Sequence, residues 1–164
     1  MAKLLLLIII MFSGINSPSD KTKMLRFDAT ANFAGFSYHD SITFHLDKTK
    51  QLGFTDVVVD IKPIFGEFLY KSKIAIMMTE WNGIRRADDF DYLNFFIKES
   101  HKRNFKINAS FIVFVGRHNF FNRGIVYDDH EDWQFINYTD TELVPLTKLK
   151  HKYLAMLNPA NFEV

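Results

Sequence analysis

The chain has 164 residues, 48% apolar and 24% charged, which suits one packed domain and excludes a disordered chain. Twenty basic residues against 19 acidic ones leave a net charge of +1, so no electrostatic footprint for nucleic acid or an anionic membrane surface exists. Cysteine is absent, which rules out disulfides, thiol catalysis, cysteine metal sites and a lipoprotein anchor.

Lys3 followed by the apolar run Leu4 to Phe12 and the small and polar residues Ser13, Gly14, Asn16 and Ser17 has the layout of a signal peptide. The run is short for a bilayer span. The expected organisation is a leader over 1–17 cut near Ser17, a polar linker over 18–23, and an exported α/β region over 24–164. The mature protein is then periplasmic, cell-surface or extracellular, with no membrane span once the leader is gone.

Met24 to Thr30 reads as a first strand ending in polar residues. Asp40 or Ser41 is placed to cap a helix, on which Ile42, Leu46, Thr49 and Leu52 share a face. Gly53 sits where a left-handed residue ends that helix. Asp56 to Lys62 carries three consecutive valines and an isoleucine, the pattern of a strand covered on both faces. A long connection over 64–87 contains Trp81-Asn82-Gly83. Asp88 or Asp89 is expected to open a second helix with Phe90, Leu93, Phe96, Ile97 and His101 near one stripe. Asn104 ends it as Gly53 ended the first. The third strand is expected over Lys106 to Val115. After Gly116 the chain turns polar and aromatic, with no clear strand and a short helix over Lys148 to Met156.

Strand–helix–strand–helix–strand implies a parallel sheet. An open dinucleotide-binding sheet needs a glycine-rich turn after its first strand, and Asp28-Ala29-Thr30-Ala31-Asn32-Phe33 is not one. No G-x-x-x-x-G-K phosphate loop and no G-x-S-x-G elbow occurs, so the residues name no cofactor. The fold expected is α/β, the first three units of a partial (β/α)8 TIM-type barrel with a long loop after strand three. A full barrel takes about 250 residues, so this reading makes the chain a truncated fragment.

Several segments together resemble the family-10-like glycosyl hydrolases, exported (β/α)-barrel proteins often labelled alpha-amylase-family. They are Leu25-Arg26-Phe27-Asp28-Ala29-Thr30-Ala31-Asn32, Gly53 to Pro63, Gly66-Glu67, Leu69-Tyr70-Lys71-Ser72, Phe114 to Phe121, Arg123 to His130 and Met156-Leu157-Asn158-Pro159-Ala160. The resemblance runs from about Lys23 to Val164. It implies hydrolysis of glycosidic bonds in a poly- or oligosaccharide. It also implies a fourth strand bearing an Asp-Gly-Ile-x-x-Asp type motif, which these residues lack. Asn108 stands where the family commonly has His. The catalytic carboxylate is therefore expected beyond Val164, and the chain alone is expected to be inactive. Incompleteness also predicts marginal stability, with Val57, Val58, Val59, Ile112, Val113 and Val115 forming a sticky open face. The alternative is a non-catalytic carbohydrate-binding or cell-envelope protein.

Barrel enzymes carry their chemistry at strand C-termini. The substrate-binding candidates are Asp28, Asn32, Asp60, Lys62, Glu67, His118, Asn119 and Asp128. Asp28 either touches ligand or caps its own turn. Asp60 and Lys62 lie two apart on a strand, which favours an internal ion pair as much as substrate binding. Glu67 reads more simply as a solvated loop residue. His118, Asp128, Asp129 and His130 have metal-ligand chemistry but lack a close H-x-x-x-H spacing, so no metal is assigned. Trp81, Phe120, Tyr127 and Trp133 are either sugar-stacking rings or buried anchors.

Overall fold

A computed structural model describes residues 21–124, 129–148 and 154–161. The expected leader, residues 18–20 of the linker, Tyr127 and Asp128 lie outside the described residues.

Strand β1 (Met24–Phe27) leads through a 3-10 turn at Gly35–Ser37 into helix α1 (His39–Gln51). No side chain caps α1, since Tyr38 rather than Asp40 occupies the capping position. Ile42, Leu46 and Thr49 are buried as their spacing requires, whereas Leu52 is exposed beyond the helix. Gly53 adopts φ +78°, a left-handed terminator. Strand β2 (Asp56–Lys62) follows. In the long connection, β3 (Glu80–Trp81) and β4 (Ile84–Arg85) form a hairpin. Asn82 and Gly83 both take positive φ there, as a two-residue hairpin turn demands.

Helix α2 (Tyr92–Lys102) begins at Asp91, whose carboxylate accepts from the Asn94 amide at 3.0 Å. The cap therefore falls two or three residues after the expected Asp88 or Asp89. Asn104, at φ 56°, ends this unit, and β5 (Lys106–Phe111) completes a three-stranded parallel sheet in the order β1-β2-β5. Sequential order without a switch of direction is what a barrel wall needs. Closure of a barrel is not seen among the described residues.

Phenylalanine builds the core. Phe27, Phe36 and Phe96 meet pairwise at 5.5 Å, and Tyr92 lies 4.9 Å from Phe96. Val57 and Val59 pack into this cluster, so both helices cover one face of the sheet. The other face carries Arg26, Val58 and Asn108 in one register row. Here the valine run misled, because Val58 is only half-buried and its neighbours in the row are polar. The expected sticky face also needs correction: Val57, Val59 and Val115 are fully buried.

The third strand is shorter than expected. After β5 the chain breaks direction, and β6 (Val115–His118) pairs antiparallel with β9 (Leu154–Met156). Residues 154–156, expected to be helical, are therefore strand. Strands β7 (Ile136–Tyr138) and β8 (Leu143–Pro145) add a second antiparallel pair. Such short, mixed strands carry too few alternations to be read from pattern.

Candidate functional site at the carboxyl end of the sheet

Parallel pairing gathers the ends of β1, β2 and β5 at one edge. Asp28 follows β1. Its carboxylate accepts from the amides of Thr30 at 2.9 Å and Ala31 at 2.8 Å, while Asn32 Nδ2 donates to its carbonyl at 2.9 Å. These bonds build a turn, and both side chains stay exposed.

Asp60 and Lys62 do not pair with each other. The extra residue Ile61 forms a bulge, where Asp60 lies opposite Ser110 and Lys62 opposite Phe111, so the two-residue alternation fails there. Asp60, 5% exposed, takes Arg26 at 2.8 Å and the Ala29 amide at 3.4 Å. Lys62 donates to the Val113 carbonyl at 2.7 Å and lies 5.7 Å from the Phe68 ring. Burial holds its ammonium below the usual lysine range.

Glu67 is buried and ion-paired rather than solvated. Arg123 grips it with two parallel bonds, Nε to Oε1 at 3.0 Å and Nη2 to Oε2 at 2.6 Å, and gives Nη1 to the Glu80 carbonyl at 2.7 Å. This fork joins the loop after β2, the β3–β4 hairpin and the segment after β6. Backbone proximity makes the joint possible. A Cβ on Gly66, at φ +81°, would stand 2.7 Å from the Gly116 carbonyl oxygen. One on Gly124, at φ +103°, would collide with the carbonyls of both Gly116 and Phe65.

Around the fork lies an aromatic cluster. Phe65 meets Trp81 at 4.5 Å and Phe121 at 5.5 Å, and Phe121 meets Trp81 at 4.8 Å and His118 at 4.7 Å. Arg123 lies 5.2 Å over Phe65. Phe120, 58% exposed, extends the cluster to solvent. The His118 backbone pairs with Arg123, while its Nδ1 is buried without a partner and burial lowers its pKa. Asn119 Nδ2 reaches the Leu146 carbonyl at 3.5 Å. Trp133 stacks on His130 at 3.8 Å, away from this cluster. Among the described residues no three metal-binding side chains converge.

Glu67, Trp81 and His118 therefore come together, and Asp28, Asn32 and Asp60 form a separate group at the sheet edge. Sequence reasoning missed Arg26 and Arg123 as the partners of Asp60 and Glu67. An arginine's partner lies 34 residues away in one case and 56 in the other, and spacing along a chain does not encode such distances.

No protein-family model matches the chain. It is 26% identical over 166 aligned positions to an S-layer-related protein of Niallia circulans, covering 95% of this chain and 10% of that protein. It also superposes on an alpha-amylase from Lactobacillus plantarum with a TM-score of 0.50 and 18% identity, covering 88% of this chain and 32% of that one. The chain thus spans about a tenth of the curated relative and a third of the solved structure. The amylase has a glycosidase-type fold, and its likeness supports a partial barrel here.

Proposed function

We propose that this chain supplies the opening βα units of a cell-surface carbohydrate-active barrel, and that its carboxyl-end loops hold a glycan. The observation that carries this reading is the Glu67–Arg123 fork set among Trp81, Phe121 and the exposed Phe120. Rings partly open to solvent offer a sugar an apolar face, and fixed polar groups beside them orient its hydroxyls. Likeness to an alpha-amylase fold and to an S-layer-related protein supports the carbohydrate and surface parts of the proposal.

Hydrolysis of a glycosidic bond usually needs two carboxyl groups across the bond, about 5–5.5 Å apart for retention or about 6.5–9.5 Å for inversion. Here Asp28 is held by its turn, Asp60 by Arg26 and Glu67 by Arg123. The chain's part is therefore to bind and orient, and any cleavage belongs to carboxylates outside this set. A non-catalytic envelope protein is the second reading, favoured by the relative matched over 95% of this chain.

An oligosaccharide array probed with the 164-residue chain tests the proposal. Retention of glycans without new reducing ends is expected, with retention lowered by Phe120→Ala. Failure to retain any glycan, or cleavage by this chain, overturns it.

A further inference from the structure

A second groove, of about 900 Å3, opens between the start of α1 and the first turns of α2. It shares no lining residue with the Glu67–Arg123 cluster. Arg86 sits in its wall and is 1% exposed. The guanidinium is packed over Phe33 at 4.4 Å, Tyr92 at 4.6 Å and Phe90 at 5.7 Å. Among the described residues its one hydrogen bond is a long one, Nη2 to the Phe36 carbonyl at 3.4 Å, and Nε has no partner. No carboxylate pairs with it among the described residues. The hydroxyl of Tyr92 beside it is buried and also unpartnered. Burying a guanidinium without a counter-charge is costly, and the ring faces offset only part of that cost. Desolvation accordingly pulls the Arg86 pKa down to about 10.

The rest of the lining limits which chemistry suits Arg86. Asp88 is taken by Arg85 at 3.0 Å, and Asp91 caps α2, so neither is free to neutralise Arg86. Asp40 and Asp89 are exposed and make no ion pair among the described residues, and Asn94 adds an amide at the rim. His39 lies 4.3 Å from Phe95 and 4.6 Å from Phe90, giving the groove an apolar wall. A single small anion would satisfy Arg86 and leave that wall and those acceptors unused. A ring bearing one carboxylate and several hydroxyls uses all of them.

We infer that this groove binds an acidic sugar of the uronic acid type, its carboxylate on Arg86 and its hydroxyls on Asp40, Asp89 and Asn94. Arg86 is then a recognition residue, held ready by three rings.

The test is calorimetric titration of the whole chain with glucuronic acid, glucuronic acid methyl ester and glucose, with amide chemical shifts recorded alongside. Glucuronic acid is expected to bind about tenfold or more tightly than its ester or glucose, the discrimination given by a charged hydrogen bond. Shifts are expected at Arg86, Asn94 and Phe95. Arg86→Gln is expected to abolish the preference. If that variant does not fold, the ester comparison on the unaltered chain decides. Equal binding of acid and ester, absence of binding, or shifts confined to Trp81 and Phe121 overturns the inference. The last result would leave the glycan reading of the carboxyl-end loops standing, because the two sites share no residue.

Discussion

The sheet-and-helix unit and the loops beyond its carboxyl edge are held together by different physics. In the first, Phe27, Val57, Val59, Leu46 and Phe96 come from four segments and share one apolar core. In the second, contact between segments depends on two glycines, one arginine fork and a cluster of half-open rings. Loss of one large side chain from a shared core is felt by every element packed on it, whereas loss at a joint made from a few specific contacts is felt mainly at that joint. The loops are thus the region where one substitution changes geometry, and this is also where both a fixed carboxylate and exposed rings sit. Function placed on loops needs such joints, because loops lack the repeating bonds of a helix or sheet.

Three substitutions would break this contrast if it were wrong. The largest effect is expected from Phe96→Ala in the core, about 3–5 kcal/mol of global stability, read by denaturant unfolding. Protection of β2 and α2 amides should fall together. Gly124→Ala is expected to cost about 2–3 kcal/mol, since a positive φ and two carbonyls in the way combine strain with overpacking. Hydrogen exchange should show that loss around 64–67 and 115–124, with β2 amides unchanged. Arg123→Ala leaves Glu67 buried and unpaired. The pair is partly open, Arg123 being 23% exposed, so about 1–3 kcal/mol is expected rather than the 3–5 of a fully buried pair. Adding Glu67→Gln to Arg123→Ala should recover part of it. A double variant no more stable than the single one would show that the fork orients the loops without mattering through its charge.

How far these regions could be read from residues alone follows the same division. Helix ends at Gly53 and Asn104, the buried stripe of α1 and the strand order rest on local rules, so they were legible. The cap of α2 was misplaced because Asp88, Asp89 and Asp91 all qualify by type, and only backbone geometry selects Asp91. Among the candidate residues, Asp60 was legible as a position near the end of β2 and Glu67 as one in the loop after it, but their partners were not. The bulge at Ile61 also defeats the alternation that made Asp60 and Lys62 look like a pair. Strands β6 to β9 are too short for periodicity, and their pairing over long separations, such as Val115 with Met156, leaves no local trace.

The smallest effect sharpens the contrast by asking whether the ring cluster is dry. His118 packs its imidazole against Phe121 and Phe65, and burial makes the folded chain resist protonation there. The unfolded chain keeps the ordinary imidazole value, about 6.5. Below that pH the unfolded state takes up a proton that the folded state still refuses, so stability is lost as pH falls from the unfolded value through the lowered folded one. His118→Phe keeps the ring and removes the titration. Unfolding free energy measured from about pH 7.5 to about pH 5 should therefore fall more steeply for the natural chain than for the variant. Other histidines contribute equally to both and cancel in the difference. Parallel pH profiles would mean that water reaches the imidazole freely, and the cluster would then be a wet crevice rather than a packed joint.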